Sequence, residues 1–127
     1  MRVLFLILLV SASSLIACDK EIENTQEQEQ AILDEMLIKI QILADTEQCI
    51  NDNDWNFTAI GSKACGGPTG FIAYSIKIDT ILFLQKVDEY TNAQEEFNKK
   101  WNIVSDCSII VAPESIICID GKPEFAY

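Results

Sequence analysis

The chain contains no histidine, and its single arginine is Arg2. The missing histidine removes the usual general base near neutral pH and the commonest metal ligand. With no arginine beyond position 2, no planar fork exists to clamp a phosphate at two points. Long apolar runs are lacking too. Residues 3–10 are all apolar, well short of the about 20 residues that cross a bilayer. Glycine is scarce, and four of the five fall within residues 61–70. Basic residues are few: nine Lys and Arg stand against 20 Asp and Glu, a net charge of −11. Such a surface repels nucleic-acid phosphates, so solubility or a basic protein partner fits it better than nucleic acid does.

What is present starts with Leu15-Ile16-Ala17-Cys18. A charged start, a short apolar core and small residues before a cut site make a secretory signal. The four residues resemble the lipobox of bacterial lipoproteins, where signal peptidase II cuts before a lipid-modified cysteine. The resemblance implies a signal peptide over 1–17 and a lipidated Cys18. That cysteine would carry diacylglycerol and an acyl chain such as palmitate, and would be unavailable for a disulfide. Two or more chains hold a protein stably on a membrane. Residues 18–26 then form the lipidated cysteine and an acidic tether, and 27–127 one small domain. Loss of residues 1–17 removes Arg2 and no acid, leaving the balance more acidic. Asp19-Lys20-Glu21-Ile22-Glu23 looks like the surface-export stretch of some Gram-negative lipoproteins, which favours the outer membrane. An aspartate directly after the cysteine also resembles an inner-membrane retention signal, and a plain solvated tether accounts for the stretch equally well.

Four cysteines remain: Cys49, Cys65, Cys107 and Cys118. An even count in a small exported domain reads as a disulfide framework. Three pairings exist. Proximity in sequence favours Cys49–Cys65 with Cys107–Cys118. The spacings do not suit paired-cysteine zinc knuckles, so no metal is expected.

Thr25 and Gln28 form a capping-box pattern before a helix running to about Ile50. Leu33, Met36, Leu37, Ile40, Leu43 and Ala44 recur at three and four, and Ile32, Ile38 and Ile42 widen that face. Such a face suits core packing before a partner groove or dimer seam. Asn51-Asp52-Asn53-Asp54 reads as a polar turn, because the sixth-position glycine and twelfth-position glutamate of an EF-hand are missing. Trp55 to Ile60 alternates as a strand. Residues 71–78 suit a second strand, or an extended lead into the next helix. Asp79 then caps a helix to about Trp101, with Phe83, Val87, Tyr90, Phe97 and Trp101 on one face and Gln94 interrupting it. Asp79-Thr80-Ile81 also resembles the O-glycosylation acceptor of some Gram-negative envelopes, which makes Thr80 a candidate acceptor beside the simpler capping role. Isoleucine-rich 108–111 and 115–119 flank Ala112-Pro113-Glu114 and read as a hairpin. Asp120-Gly121-Lys122-Pro123 reads as a terminal turn.

Residues 61–70 are the most unusual internal stretch. Lys63, Gly66, Gly67 and Pro68 are the candidate binding residues. Successive backbone N–H groups there suit an anion nest beside Lys63, or a rigid loop of the kind inhibitors insert into a cleft. A tight corner accounts for the same glycines. The stretch is no P-loop, since Gly67-Pro68 replaces the required Lys-Ser/Thr. Gly-Ser-Lys-Ala-Cys-Gly-Gly-Pro, Ala-Tyr-Ser, Ser-Asp-Cys and Cys-Ile-Asp-Gly-Lys together resemble a pattern in small uncharacterised exported bacterial proteins, which implies a disulfide-braced domain and no particular chemistry.

No nucleophile with a base, and no singled-out carboxylate pair, is visible. Ser75 and Lys77 would share a strand face without the Ser-x-x-Lys helix turn. Cys65 beside Lys63 has the setting of a reactive thiol, which pairing with Cys49 would consume. The expectation is therefore an α+β domain: two long antiparallel helices and a small antiparallel sheet, braced by two disulfides. Its expected role is a lipid-anchored, non-catalytic binding or accessory module of the cell envelope, without cofactor. The alternative is an inhibitor of a protease or lysozyme using the 61–70 loop.

Overall fold

The computed structural model describes residues 24–127. The expected signal peptide, the expected lipobox with Cys18 and the expected tether through residue 23 lie outside the described residues.

The first helix, α1, spans Gln26–Ala44. Its capping box forms as the sequence predicts: Gln28 N–H donates to the Thr25 hydroxyl and Thr25 N–H to the Gln28 side chain. The helix stops six residues before Ile50. A continued helix would place Asp45 and Glu47 against its negative end, which carries no basic residue. Instead Cys49 turns away to accept a crosslink, and its N–H donates to the Gly121 carbonyl at 2.9 Å. A 3-10 turn, Asp52–Asp54, follows with Asn51 as its cap.

Strands β1 (Trp55–Ile60) and β2 (Gly70–Ser75) pair antiparallel, Trp55 opposite Ser75 and Ile60 opposite Gly70. The strand expected to reach Ile78 ends at Ser75. There the chain turns, with the buried Ser75 hydroxyl accepting Lys77 N–H and the Asp54 carbonyl accepting Ile76 N–H. The second helix, α2, spans Thr80–Lys100 between Asp79 and Trp101 caps, and Asp79 accepts Leu82 N–H at 3.0 Å. The helices run antiparallel. Glu29 near the start of α1 takes Lys100 Nζ on one oxygen and Trp101 Nε1 on the other, both at 2.7 Å, at the end of α2.

The final hairpin pairs β3 (Ser115–Ile119) with β4 (Lys122–Ala126). It differs from the expected one. Residues 108–111 form no strand, and the turn is Asp120-Gly121 rather than Ala112-Pro113-Glu114. Asp120 and Gly121 both adopt positive φ, 51° and 78°, the geometry that a two-residue hairpin turn needs to match strand twist.

Two small sheets thus replace the single one expected. The β1–β2 ribbon is covered on both faces. One face, with Ile60, Ile72 and Tyr74, packs on Leu33, Ile40, Phe83, Val87 and Tyr90 of the helices. The other, with Trp55, Phe57 and Ala73, packs on Ile116 and Phe125 of the hairpin. Phe57 makes edge contacts with Phe71 and Phe125. Of the α1 apolar residues, Ile32, Ile38 and Ile42 stay exposed, so the buried stripe is the narrower one. Among the described residues no helix is long and apolar enough to cross a membrane.

Cys49 and Cys118 form a disulfide, which overturns both expected pairings, Cys49–Cys65 and Cys107–Cys118. Nearness along the chain misleads here, because the hairpin folds back over β1 and brings Cys118 to Cys49 across 69 positions.

Candidate functional site

The 61–70 loop joins β1 to β2 and is held from below by α2. Thr91, Gln94 and Asn98 recur at three and four, so they share one side of the helix. Thr91 Oγ1 accepts Gly61 N–H at 3.0 Å, Gln94 Oε1 accepts Ser62 N–H at 2.7 Å, and Asn98 Nδ2 donates to the Ser62 carbonyl at 2.8 Å. Three side chains thereby hold the backbone of two loop residues. Gln94, which breaks the apolar face of α2, is one of them. Gly61 is required at this contact. Its φ is +77°, and a Cβ there would lie 2.0 Å from Thr69 Oγ1 and 2.6 Å from Gln94 Oε1. Thr69 closes the other side, its N–H and its hydroxyl both reaching the Ile60 carbonyl.

Above this base the chain makes a tight turn. Gly66 N–H donates to the Lys63 carbonyl and Lys63 N–H to the Gly67 carbonyl, each at 2.9 Å. Gly66 and Gly67 have φ of +96° and +82°, are exposed, and have open space where a Cβ would stand. Pro68 leads back down, half-buried.

Lys63 does not face the tip. Its side chain is 11% exposed, and its Nζ lies 3.2 Å from Asp106 Oδ1 and 2.9 Å and 3.0 Å from the carbonyl and hydroxyl of Ser108. Hydrogen bonds from Ser108 and Lys63 hold the Asp106 carboxyl below the ordinary aspartate range. The cation expected beside an anion nest is therefore neutralised by Asp106, and two of the loop's N–H groups close its own turn. The geometry suits a rigid protrusion better than a phosphate cradle.

Cys65 lies in the turn, exposed. Its Sγ is 3.5 Å from Ser105 Oγ and 3.4 Å from the Asp106 carbonyl. The Cys107 thiol lies nearby, and its influence, with help from Ser105 and Lys63, lowers the Cys65 pKa. The Cys107 thiol is pushed up, first by the Cys65 thiol and then by desolvation, the Cys65 charge and Asp106. Sequence reasoning counted this partnership among the three possible pairings and set it aside for proximity, because the chain carries no local signal for it across a separation of 42 positions.

Elsewhere the structure does not assemble the other candidates. Ser75 is 1% exposed at one end of β1–β2, while Lys63 lies beyond the other end, roughly 17 Å away along a six-residue strand. Lys77 pairs with Asp54 at 2.6 Å. The remaining acid of the 51–54 turn serves structure, Asp52 accepting Cys118 N–H at 2.7 Å. Among the described residues no three His, Cys, Asp or Glu side chains converge as metal ligands. Thr80 is half-buried as the first residue of α2. A cleft of about 480 Å³ runs between α1, β2 and β4, with Leu37, Ile72, Tyr90 and Phe125 among its walls and Gln41 and Asp45 as polar groups.

Compared with protein-family models, curated proteins and solved structures, the chain matches none. What bears on function is the loop, the cysteines and the leader expected from sequence.

Proposed function

We propose that this protein is a lipid-anchored module of the cell envelope, held on the membrane through Cys18, that presents the 61–70 loop to a protein partner without catalysis of its own. The observation that carries the reading is the contrast within that loop. Its base is fixed by Thr91, Gln94 and Asn98, while its turn, residues 64–67, is exposed. A rigid protrusion loses little conformational freedom on binding, which favours affinity. The acidic surface favours a basic partner. Outer-membrane placement belongs to the same reading, on the strength of residues 19–23.

The second brace of the fold belongs to it as well. With Cys49 and Cys118 joined, Cys65 and Cys107 are left free and near each other, and their oxidation would tie the loop to residues 105–108. This is the two-disulfide framework anticipated from sequence, with different partners.

The anchor is tested by Cys18→Ala. Maturation should stop at the unprocessed precursor; normal processing and membrane binding of the variant would overturn the anchor. The loop is tested by a photo-crosslinking residue placed at Ala64 in the intact envelope, with Gln85 on the exposed side of α2 as control. A protein captured from position 64 alone supports the reading. Capture of a protease or lysozyme, with its activity lost in the complex, would make the module an inhibitor. Equal capture at both positions, or at neither, would contradict a binding role for the loop.

A further inference from the structure

The cysteines of the described residues are of two kinds. Cys49 is 2% exposed within the second core cluster and bonded to Cys118. Cys65 and Cys107 are exposed and carried on loops, and Cys65 Sγ lies 3.4 Å from the carbonyl of Asp106, the residue before Cys107. The segment that bears Cys107, residues 103–113, belongs to no helix or strand. Lys63 ties it to the loop through Asp106 and Ser108. We propose that Cys65 and Cys107 form a thiol–disulfide exchange site for disulfide-bearing reactants, with Cys65 attacking and Cys107 resolving.

This proposal rests on the Cys65–Cys107 pairing above and adds reactivity and direction to it. In the forward direction the Cys65 thiolate attacks one sulfur of the reactant disulfide. A mixed disulfide forms and one thiolate leaves. The Cys107 thiolate then attacks Cys65 Sγ, closing the Cys65–Cys107 bond and releasing the second reactant thiolate. The pair loses two electrons and two protons; the reactant disulfide is reduced by two electrons. The reverse direction consumes a dithiol and reopens the pair.

The surroundings of each thiol assign the roles. Cys65 sits in an exposed turn next to Gly66 and Gly67, where even an added Cβ would meet no atom within 4 Å. An attacking thiol must be reached by its reactant and must be ionised. Cys107, Ser105 and Lys63 favour the Cys65 thiolate, while Cys65 itself, then desolvation and Asp106, disfavour that of Cys107. The buried Cys49 gives the other pair no such access.

The test uses the full protein with Cys49–Cys118 intact and the other pair reduced, treated with an aromatic disulfide that releases a coloured thiolate. Wild type should release two equivalents per chain and end with Cys65–Cys107 joined and no adduct retained. Cys107→Ser should release one equivalent and keep a stable adduct on Cys65. Cys65→Ser should react roughly tenfold or more slowly at pH 7, because rate follows thiolate fraction and access. Peptide mapping assigns each bond. If wild type closes the Cys65–Cys107 bond while the two single variants react at equal rates, the assigned direction is wrong and the pairing survives. If wild type keeps two stable adducts, both the exchange site and the pairing are overturned.

Discussion

Gly61 and Gly66 share a left-handed backbone and differ in their surroundings. At Gly66 a methyl group meets nothing, so Gly66→Ala should cost only the conformational strain, about 1 kcal/mol. At Gly61 the methyl group meets Thr69 and Gln94 as well, so Gly61→Ala should cost about 3 kcal/mol, the strain plus overpacking. Urea midpoints of the two variants check the difference; equal midpoints would mean the loop base is not packed as described. Glu29 is a second instructive residue. Hydrogen bonds from Lys100 and Trp101 lower its pKa. A lowered native pKa contributes stability that is full above the ordinary glutamate value and lost as pH falls through the native one. Glu29→Gln should therefore melt below wild type at pH 7, with the gap closing below about pH 4. Neither contact was legible in the sequence, because Glu29 and Trp101 stand 72 positions apart.

At the scale of elements, the two helices, their caps and β1 were legible from period and capping chemistry. The end of α1 was not. The polar run Asp45-Thr46-Glu47-Gln48 does not by itself end a helix, and Cys49 leaves the helical path to reach a strand that comes much later. The hairpin was misplaced for a related reason. The isoleucines of residues 108–111 carry strand propensity without a partner, whereas Asp120-Gly121 supplies the turn geometry that decides the pairing. Gln94 reads in sequence as a blemish on an apolar face, and in the structure it holds the loop. Gln94→Ala should cost about 1–2 kcal/mol by leaving Ser62 N–H without its acceptor, and hydrogen exchange should show faster opening at Ser62. Cys118→Ala should cost about 4 kcal/mol in the chain-entropy picture, since its bond closes a long loop. A denaturant curve close to that of wild type would mean the bond is not formed in the native protein.

At the scale of the whole molecule, three layers depend on one two-stranded ribbon. Trp55 and Phe57 face the hairpin, and Ile60, Ile72 and Tyr74 face the helices. Alternation in β1 was visible in sequence, but which apolar set faced which partner was not, because both faces are covered. The candidate loop was visible as a cluster of glycines. Its rigidity was not, since that comes from a polar stripe on a helix more than twenty residues further along. On the proposed reading this domain is held on a membrane through Cys18, and the signal for that lies wholly in the sequence of residues 1–18. Intact mass of the protein extracted from membranes, before and after reduction, tests that account most directly. The account predicts a chain beginning at Cys18, heavier by a diacylglycerol and an acyl chain, and gaining two hydrogens for each of two disulfides on reduction. An unlipidated chain, or one still carrying residues 1–17, would contradict it.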